Sequence, residues 1–319
     1  MKNEIVPVES FSPTSLKPAE QMSRETAELI VTAIPENTVR AYRNAYNKMT
    51  EWLSGRINTD ALLADYVTHL YRQNYAPATI QIAVAAANWV ARWEGREKVS
   101  GTITKEALHA IRVNDSKKET DKGKGTARRG QVRGLTWDDV HRVCELAEHS
   151  NTIAGLRDSA LIQLMSDGLL RVSEAVAVNG SHLRGKSLYV PRSKTDQEGR
   201  GKSLHITAHT RTAIETYRQR AGIDSGAVFR RIRKGDVVTR ERLTATSARR
   251  IIKKWAQKAG FSGVSGHSMR VGSAVSLAQK NASLVEMQQA GRWKDPKMPA
   301  HYAEQVLSEQ GAIAKYKGD

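Results

Sequence analysis

A stretch of basic and glycine residues near the middle of the chain divides the sequence into two parts. Residues 115–134 hold four glycines and seven lysines or arginines, and Val132 is their only large apolar residue. This composition cannot add to a hydrophobic core and is typical of an exposed linker. Because the length of 319 residues also suits two cores, we predict a first domain over residues 23–114 and a second over residues 135–319. Residues 1–22, with three prolines, are predicted to be a flexible tail.

The first domain shows only helical patterning. Between Asn37 and Ile111, apolar residues recur in four groups at intervals of three and four positions, the spacing of one face of an α-helix. Asn37 or Thr38 is the predicted cap of the first of these helices. We therefore predict a compact all-helical domain that ends near Asn114.

The second domain adds one β-hairpin to further helices. Thr136 and Asp139 resemble a capping box at its first helix. The runs 187–190 and 203–206 have β-type composition and are joined by a polar turn that contains Lys194. The predicted fold class is mainly α, with a helical N-terminal domain and a mostly α second domain that carries a small antiparallel β-hairpin or sheet.

The charge of the chain points to a polyanionic partner. The sequence has 50 lysines and arginines against 33 aspartates and glutamates, a formal net charge of +17. Such a field attracts nucleic acid. The alternatives are a merely basic protein or one that coats an anionic membrane, but the sequence has no lipidation signal or basic amphipathic anchor. With no membrane-length apolar run and no secretory signal, we expect a cytoplasmic, DNA-directed protein.

Positive residues in both domains and in the linker are candidates for contact with DNA. The linker residues could neutralise successive phosphates as a strap along the DNA backbone, or the charge could only keep a solvated linker open. Helical arginines that face phosphates have the same sequence signature as those that face bases. The candidate DNA-binding residues are Arg40, Arg43, Lys117, Lys118, Lys122, Lys124, Arg128, Arg129, Arg249 and Arg250.

The last third of the chain combines phosphate donors with a hydroxyl group. His267 and Arg270 stand three apart where a helix begins, so they share one face beside backbone N–H groups that suit an anionic oxygen. Trp293 adds an indole N–H, and Tyr302 adds a phenol that can form a phosphoester. Each residue also has an ordinary interpretation: an exposed arginine, a packing tryptophan, a half-buried tyrosine.

The sequence indicates chemistry without a metal or cofactor. Cys144 is the single cysteine, the histidines show no metal-ligand spacing, and Asp138 with Asp139 is the only acidic doublet of the second domain. No glycine-rich nucleotide loop is present. We therefore predict that the protein needs no metal, no cofactor and no ATP.

Five motifs of the second domain resemble, in order and approximate spacing, those of the tyrosine recombinase or phage integrase family, and specifically its Cre-like branch. They are Leu-Leu-Arg-Val-Ser-Glu (169–174), Arg-Ser-Lys-Thr-Asp (192–196), Gly-His-Ser-Met-Arg-Val-Gly (266–272), Ala-Gly-Arg-Trp (290–293) and Tyr302. Each motif is weak alone, but five in sequence are specific. The first domain is similar in kind to the core-binding domain of the family, so the resemblance covers most of the chain.

The resemblance implies a site-specific DNA recombinase that uses Tyr302 as its nucleophile. This residue would attack a scissile phosphate and leave a 3′-phosphotyrosine and a free 5′-hydroxyl. Arg171 and Arg270 would hold the non-bridging oxygens, and Trp293 would donate its indole N–H to one of them. Most members of the family carry histidine at the position of Trp293, and tryptophan matches the Cre-like branch.

The same resemblance assigns three supporting residues. His267 would be a further phosphate donor or would manage a proton, and Glu174 would be an acceptor that orients an arginine or histidine. Lys194 would be the general acid that protonates the 5′-oxygen. Lys186 and Lys202 compete with it for that assignment.

The resemblance also implies an assembly on DNA. Four protomers would bring two double-stranded segments with inverted-repeat sites together and exchange strands through a Holliday junction. We predict that the C-terminal segment 303–316 docks into a neighbouring protomer of this homo-tetramer; packing on its own domain is the alternative. The other functional candidates are a type IB topoisomerase-like or telomere-resolving enzyme, and a non-catalytic DNA-binding protein of the same fold. The expected context is the nucleoid of a prokaryote, or phage or plasmid DNA.

Overall fold

Two units that cluster separately, Met1–Arg128 and Arg129–Asp319, make up the chain. The structure is a computed structural model that describes residues 24–121, 132–191, 201–309 and 317. Of the sequence predictions, the N-terminal tail and the linker residues Lys122, Lys124, Arg128 and Arg129 fall outside the described residues, as does Lys194. Within the described ranges, no helix is both long enough and apolar enough to cross a membrane.

The described part of the first unit is helical, as its sequence pattern predicts. Asp60 joins two of its helices: the carboxylate accepts hydrogen bonds from the backbone N–H groups of Gly101 (2.7 Å) and Thr104 (3.1 Å) and from the Thr104 hydroxyl (2.6 Å). The Thr104 hydroxyl and these N–H groups hold the pKa of Asp60 at about 2. The apolar face of each helix meets a core that includes Met49, Leu63 and Ile80. The helices are α1 (Arg24–Thr32), α2 (Glu36–Leu53), α3 (Asp60–Arg72), α4 (Pro77–Trp93) and α5 (Thr102–Asp121).

Two helix ends in the first unit differ from prediction. Helix α5 continues to Asp121, so the predicted end near Asn114 is wrong, and Lys117 and Lys118 lie on a helix rather than in a linker. Residues 115–121 contain no glycine or proline, and lysine and glutamate favour helix, so nothing there stops α5. Helix α2 starts at Glu36 with Pro35 as its cap, two residues before the predicted Asn37 and three before Thr38.

The second unit is mostly α-helical with two small antiparallel sheets, which confirms the predicted fold class. The predicted hairpin is present, with Leu188 opposite Leu204 and Tyr189 opposite Ser203. Its helices are α6 (Trp137–Glu148), α7 (Ile153–Asp167), α8 (Val172–Val176), α9 (Ala208–Ala221), α10 (Ala245–Lys258), α11 (Ser268–Gln279), α12 (Leu284–Gly291) and α13 (Lys297–Glu309). Its strands are β1 (Leu183–Arg184), β2 (Ser187–Val190), β3 (Lys202–His205), β4 (Arg230–Arg233) and β5 (Val237–Arg242). The sheets have the orders β1-β2-β3 and β4-β5.

The β4–β5 hairpin was not predicted. Charged residues occupy both faces of its strands, so the apolar alternation that marks a half-buried strand is missing. The sequence feature that could have indicated this hairpin is the Gly-Asp turn between its strands. Gly235 and Asp236 both adopt a left-handed backbone, with φ of 78° and 62°. The Asp236 carboxylate then accepts hydrogen bonds from the N–H groups of Ile153 and Ala154 at the start of α7. The hairpin is therefore anchored to the central helix of this unit.

Helix α7 is the core of the second unit. Its run from Ala160 to Ser166 is buried on every side, and α6, α9 and α11 pack against it. Cys144 on α6 is part of this core, and burial raises the pKa of its thiol to about 12. Cys144 is therefore a small packed side chain rather than a reactive one.

The predicted linker also ends earlier than expected. The N–H of Leu135 donates to the carbonyl of Ser268 (2.9 Å), and a Cβ placed on Gly134 would lie 2.9 Å from the Cα of Gly272. Arg133 lies over the ring of Phe261 at 4.8 Å. Residues 133–134 are thus packed on the second unit. Only glycine at position 134 lets the backbone there come so close to the backbone of Gly272.

Candidate active site

Arg171 and Glu174 are fixed to each other at the start of α8. Arg171 is the N-cap residue, and Glu174, three positions on, reaches back to it. The Glu174 Oε2 accepts the Arg171 backbone N–H (3.0 Å), and Oε1 accepts Nη1 of its guanidinium (2.8 Å). Since the Glu174 side chain is only 4% exposed, its carboxylate is a firm support that orients Arg171.

Arg270 on α11 is buried, unlike an ordinary arginine at a helix start. The residue is 4% exposed, and its guanidinium donates to the backbone carbonyls of Leu169 (2.5 Å) and Gly291. Burial, and then the nearby charges of Arg171 and Arg292, lower the pKa of Arg270 to about 10. It therefore stays charged at neutral pH, in a place where positive charge is already concentrated.

Arg292 completes this cluster and was missed by sequence reasoning. It follows α12 with a left-handed backbone (φ 55°), and its side chain is 3% exposed. Its Nη1 donates to the carbonyl of Gly168 (2.9 Å), and Nη2 donates to Glu174 Oε2 (2.7 Å). The residue stands inside the Gly-Arg-Trp motif, but an arginine next to glycine has the sequence signature of an exposed charge.

Trp293 and Tyr302 lie in contact beside Arg270. The Arg270 Cζ is 4.6 Å from the centroid of the Trp293 ring, and the ring centroids of Trp293 and Tyr302 are 5.5 Å apart. Tyr302 is half-buried on α13, whose first turn accommodates Pro299. The Trp293 ring thus lies at the edge of an arginine cluster.

His267 lies on the open side of the same site. It is exposed at the start of α11, and its backbone N–H donates to Ser265 Oγ (3.2 Å). A Cβ on Gly266 would be 2.5 Å from Val172 Cγ2 and 3.3 Å from Arg249 Cγ. The glycine therefore lets the His267 turn pack between the start of α8 and the exposed Arg249 of α10.

Lys194, the predicted general acid, lies outside the described ranges, whereas the other six residues assigned from the resemblance are described. The competing Lys186 and Lys202 are both exposed, beside the ends of β2 and β3. The structure thus pairs Arg171 with Glu174 and sets Arg270 against Trp293, which contacts Tyr302. The charges of Arg171 and Glu174 are close enough to Arg270 to affect its pKa, and His267 lies three residues before Arg270.

Four of the ten candidate DNA-binding residues have described side chains, and these lie on α2 and α10. Arg40 of α2 is exposed and Arg43 is half-buried, and Arg249 and Arg250 are exposed on α10. Sequence reasoning missed the rest of this α10 face, where Lys253, Lys254 and Lys258 are also exposed and continue the i, i+4 spacing of the two arginines. The opposite, buried face of α10 consists of Ala248, Ile252, Trp255 and Ala256.

The electrostatics of the site favour an anionic ligand. Three guanidinium groups, those of Arg171, Arg270 and Arg292, surround the single carboxylate of Glu174, so the cluster carries surplus positive charge in a largely buried setting. Among the described residues, no group of three or more His, Cys, Asp or Glu side chains could hold a metal ion. A phosphodiester oxygen would meet preorganised donors next to the Tyr302 phenol.

Comparisons with known proteins find related sequences and a similar fold. The chain is 26% identical over 306 residues to an integrase/recombinase XerD homologue of Selenomonas ruminantium, covering 90% of this chain and 86% of that protein. It is 24% identical over 275 residues to recombinase Cre of Escherichia phage P1, covering 80% and 78%. Its fold is similar to the crystal structure of the XerH site-specific recombinase bound to a palindromic difH substrate, a post-cleavage complex. That match has a TM-score of 0.63 at 15% identity and covers 96% of this chain and 86% of that one.

A model of the phage integrase family matches residues 127–308, more than half of the chain. The matched range contains each of the seven residues assigned above from the resemblance. The chain therefore belongs to the phage integrase family, the family of the tyrosine recombinases.

Proposed function

We propose that this site-specific tyrosine recombinase cuts DNA with Tyr302 and holds the scissile phosphate with Arg171, Arg270 and Trp293. The observation that carries the proposal is the contact chain from Arg270 through Trp293 to Tyr302, with spacings of 4.6 and 5.5 Å. It sets a phenol beside a buried surplus of positive charge. A purely structural tyrosine would need no such neighbours.

The proposed reaction is a transesterification that conserves the phosphoester bond. The Tyr302 oxygen attacks the phosphorus and passes its proton to a base, for which His267 is the proposed acceptor. A new P–O(tyrosine) bond forms, and the bond to the 5′-oxygen breaks. Arg171, Arg270 and the Trp293 indole stabilise the charge on the non-bridging oxygens in the transition state. The 5′-oxygen takes a proton, for which Lys194 is the proposed donor, and His267 at the rim is a proposed phosphate donor or proton carrier. The reverse reaction with another strand's 5′-hydroxyl reseals the DNA without ATP.

DNA would reach the site across basic surfaces. We propose that the exposed α10 face of Arg249, Arg250, Lys253, Lys254 and Lys258 contacts the duplex next to the catalytic cluster, since Arg249 lies beside Gly266. Arg40 and Arg43 on α2, with Lys117 and Lys118 on α5, are proposed contacts of the first unit. The linker residues Lys122, Lys124, Arg128 and Arg129 stay predicted phosphate contacts.

We place the protein in the Cre-like branch on the basis of Trp293. This tryptophan stands where most of the family carries histidine, and its ring is 8% exposed and lies against Arg270. The similarity to recombinase Cre supports the placement, although the XerD homologue is similar to a comparable degree. We further propose that the DNA acted on is bacterial, phage or plasmid DNA.

Recombination of two duplexes requires four strand cuts, and one nucleophile per protomer then requires four protomers. Exchange of the first pair of strands produces a Holliday junction, and the second pair resolves it. We propose that each recognition site is an inverted repeat occupied by two protomers, because paired copies of one protein read paired copies of one sequence. Of the predicted docking segment 303–316, Val306 packs in the core of its own unit, and residues 310–316 lie outside the described residues. We also propose that the part of this segment that follows α13 docks on a neighbouring protomer in this tetramer.

Deletion of residues 308–319 should abolish assembly on paired sites while leaving the binding of one protomer to a half-site unchanged. The measurement is a gel-shift titration on half-site, full-site and paired-site DNA, using a site selected by the wild-type protein from random duplexes. If the segment packs on its own unit instead, the deletion will lower half-site affinity and thermal stability and spare cooperativity, which would contradict the docking proposal.

A plasmid with two selected sites in direct repeat separates the candidate functions. The proposed recombinase should convert it into two smaller circles without ATP or divalent metal. A topoisomerase-like enzyme would only relax the supercoils, a telomere-resolving enzyme would leave closed hairpin ends, and a non-catalytic protein would bind without product. Any of these three results in place of the smaller circles would refute the proposal.

A further inference from the structure

We infer that Arg292 is a positioning residue for strand cleavage, which acts through Glu174 on Arg171. The inference rests on the proposed function, because the step it affects is the attack of Tyr302 on DNA. No motif-based assignment included this arginine. Its position in the structure, rather than its sequence context, points to the role.

The contacts of Arg292 lead directly to the phosphate-binding arginines. Its Nη2 donates to Glu174 Oε2 at 2.7 Å, and the other oxygen of the same carboxylate accepts Arg171 Nη1 at 2.8 Å. Arg292 shares Oε2 with the Arg171 backbone N–H, and this second, charged donor fixes the carboxylate more firmly, with Oε1 aimed at the Arg171 guanidinium. A carboxylate held on both sides restricts Arg171 more than one that is free to turn.

Arg292 also supports Arg270 through the backbone. Its Nη1 donates to the carbonyl of Gly168 at 2.9 Å, and Arg270 donates to the carbonyl of the next residue, Leu169, at 2.5 Å. The turn between α7 and α8 is thus clamped by both guanidinium groups. One side chain therefore fixes the supports of both Arg171 and Arg270.

The position is an unfavourable one for an arginine. The backbone is left-handed, at φ 55°, a conformation that glycine adopts without strain. The guanidinium is desolvated, and its Nε has no acceptor in the described part of the chain. Glycine at this position would avoid the backbone strain, the desolvation of a charge and the unpaired Nε. The arginine is therefore best explained by its two Nη groups, which hold Glu174 and the Gly168 carbonyl in place.

The variant that tests this is Arg292→Gly, which suits the backbone and removes the clamp. With a nicked suicide substrate in single turnover, well below the melting temperature, we expect the cleavage rate constant to fall about 100-fold. Affinity for the uncleaved DNA should stay within about twofold, because Arg292 is buried and faces protein groups rather than the duplex.

A matched control is Arg157→Lys, which weakens another buried arginine–carboxylate pair, Arg157 with Asp158 at 2.6 Å. It should lower the melting temperature without slowing cleavage.

A double-mutant cycle shows whether the effect passes through Glu174. Glu174→Gln alone should also slow cleavage. The double variant, which carries both Arg292→Gly and Glu174→Gln, should cleave no more slowly than the slower of the two single variants. Wild-type cleavage rates in Arg292→Gly, equal slowing in the Arg157→Lys control, or multiplied losses in the double variant would each overturn the inference. If the wild-type protein itself forms no covalent complex, the proposed function fails instead.

Discussion

Replacing Tyr302 by phenylalanine should abolish covalent capture of DNA while leaving DNA binding intact. The substitution removes only the phenol oxygen, and the ring keeps its contact with Trp293, whose centroid is 5.5 Å away. The packing of α13 should therefore survive. A nicked suicide substrate, from which the cut strand diffuses away, traps the wild-type intermediate. We expect the trapped fraction to fall below detection, since removal of a nucleophile costs about 10⁴-fold or more in rate.

Tyr316→Phe is the control for this experiment. Tyr316 is the one tyrosine that follows Tyr302 in the sequence. We expect the Tyr316→Phe variant to trap DNA as the wild type does. Covalent complex in the Tyr302 variant together with its loss in the Tyr316 variant would move the nucleophile to Tyr316 and refute the assignment.

Gly272→Ala should strongly destabilise the second unit. A Cβ at this position would lie 1.7 Å from the carbonyl oxygen of Leu135, and such a contact with backbone cannot be relieved by a side-chain rotation. The backbone at Leu135 would have to move away from α11. That movement would weaken the hydrogen bonds from the Leu135 N–H to the Ser268 carbonyl (2.9 Å) and from the Trp137 N–H to Ser276 Oγ (3.1 Å). We expect a loss of about 3 kcal/mol in the free energy of unfolding, at the upper end of overpacking effects.

The expected loss corresponds to a melting temperature lower by roughly 10 °C for a unit of this size, measurable by calorimetry. Gly180→Ala is a matched control, because the nearest atom to its new Cβ would be 3.8 Å away and its backbone is not left-handed. We expect the control to change stability by no more than about 0.5 kcal/mol. Equal melting temperatures for the two variants would contradict the packing argument. Because α11 carries Arg270, the Gly272 variant should also cleave more slowly.

Features set by neighbouring residues were predictable from sequence. Helix α11 begins at Ser268, where the sequence predicts a helix start between His267 and Arg270, and the Thr136–Asp139 capping box is present at α6. Both depend on interactions within one or two helical turns. The β2–β3 hairpin was predictable because its strands carry apolar residues at alternate positions, whereas β4–β5, charged on both faces, has no such pattern.

Features set by residues far apart in sequence were not predictable. The interaction of Arg292 with Glu174 spans 118 positions, and only the fold shows that this arginine is buried rather than exposed. The same holds for Gly272, whose role depends on the chain that follows the linker. Motif resemblance located Arg171, Arg270, Trp293 and Tyr302, while the residues that hold these groups in place are visible only in the structure. Lys194 and the linker residues stay predictions from sequence.

The central claim is that Tyr302 forms a 3′-phosphotyrosine bond with cleaved DNA. The most direct test is mass spectrometry of the trapped wild-type complex after nuclease and protease digestion. We expect one nucleotide-bearing peptide, modified on Tyr302 through the 3′-phosphate, with a free 5′-hydroxyl on the released strand. An adduct on any other residue, or a linkage through the 5′-phosphate, would contradict it.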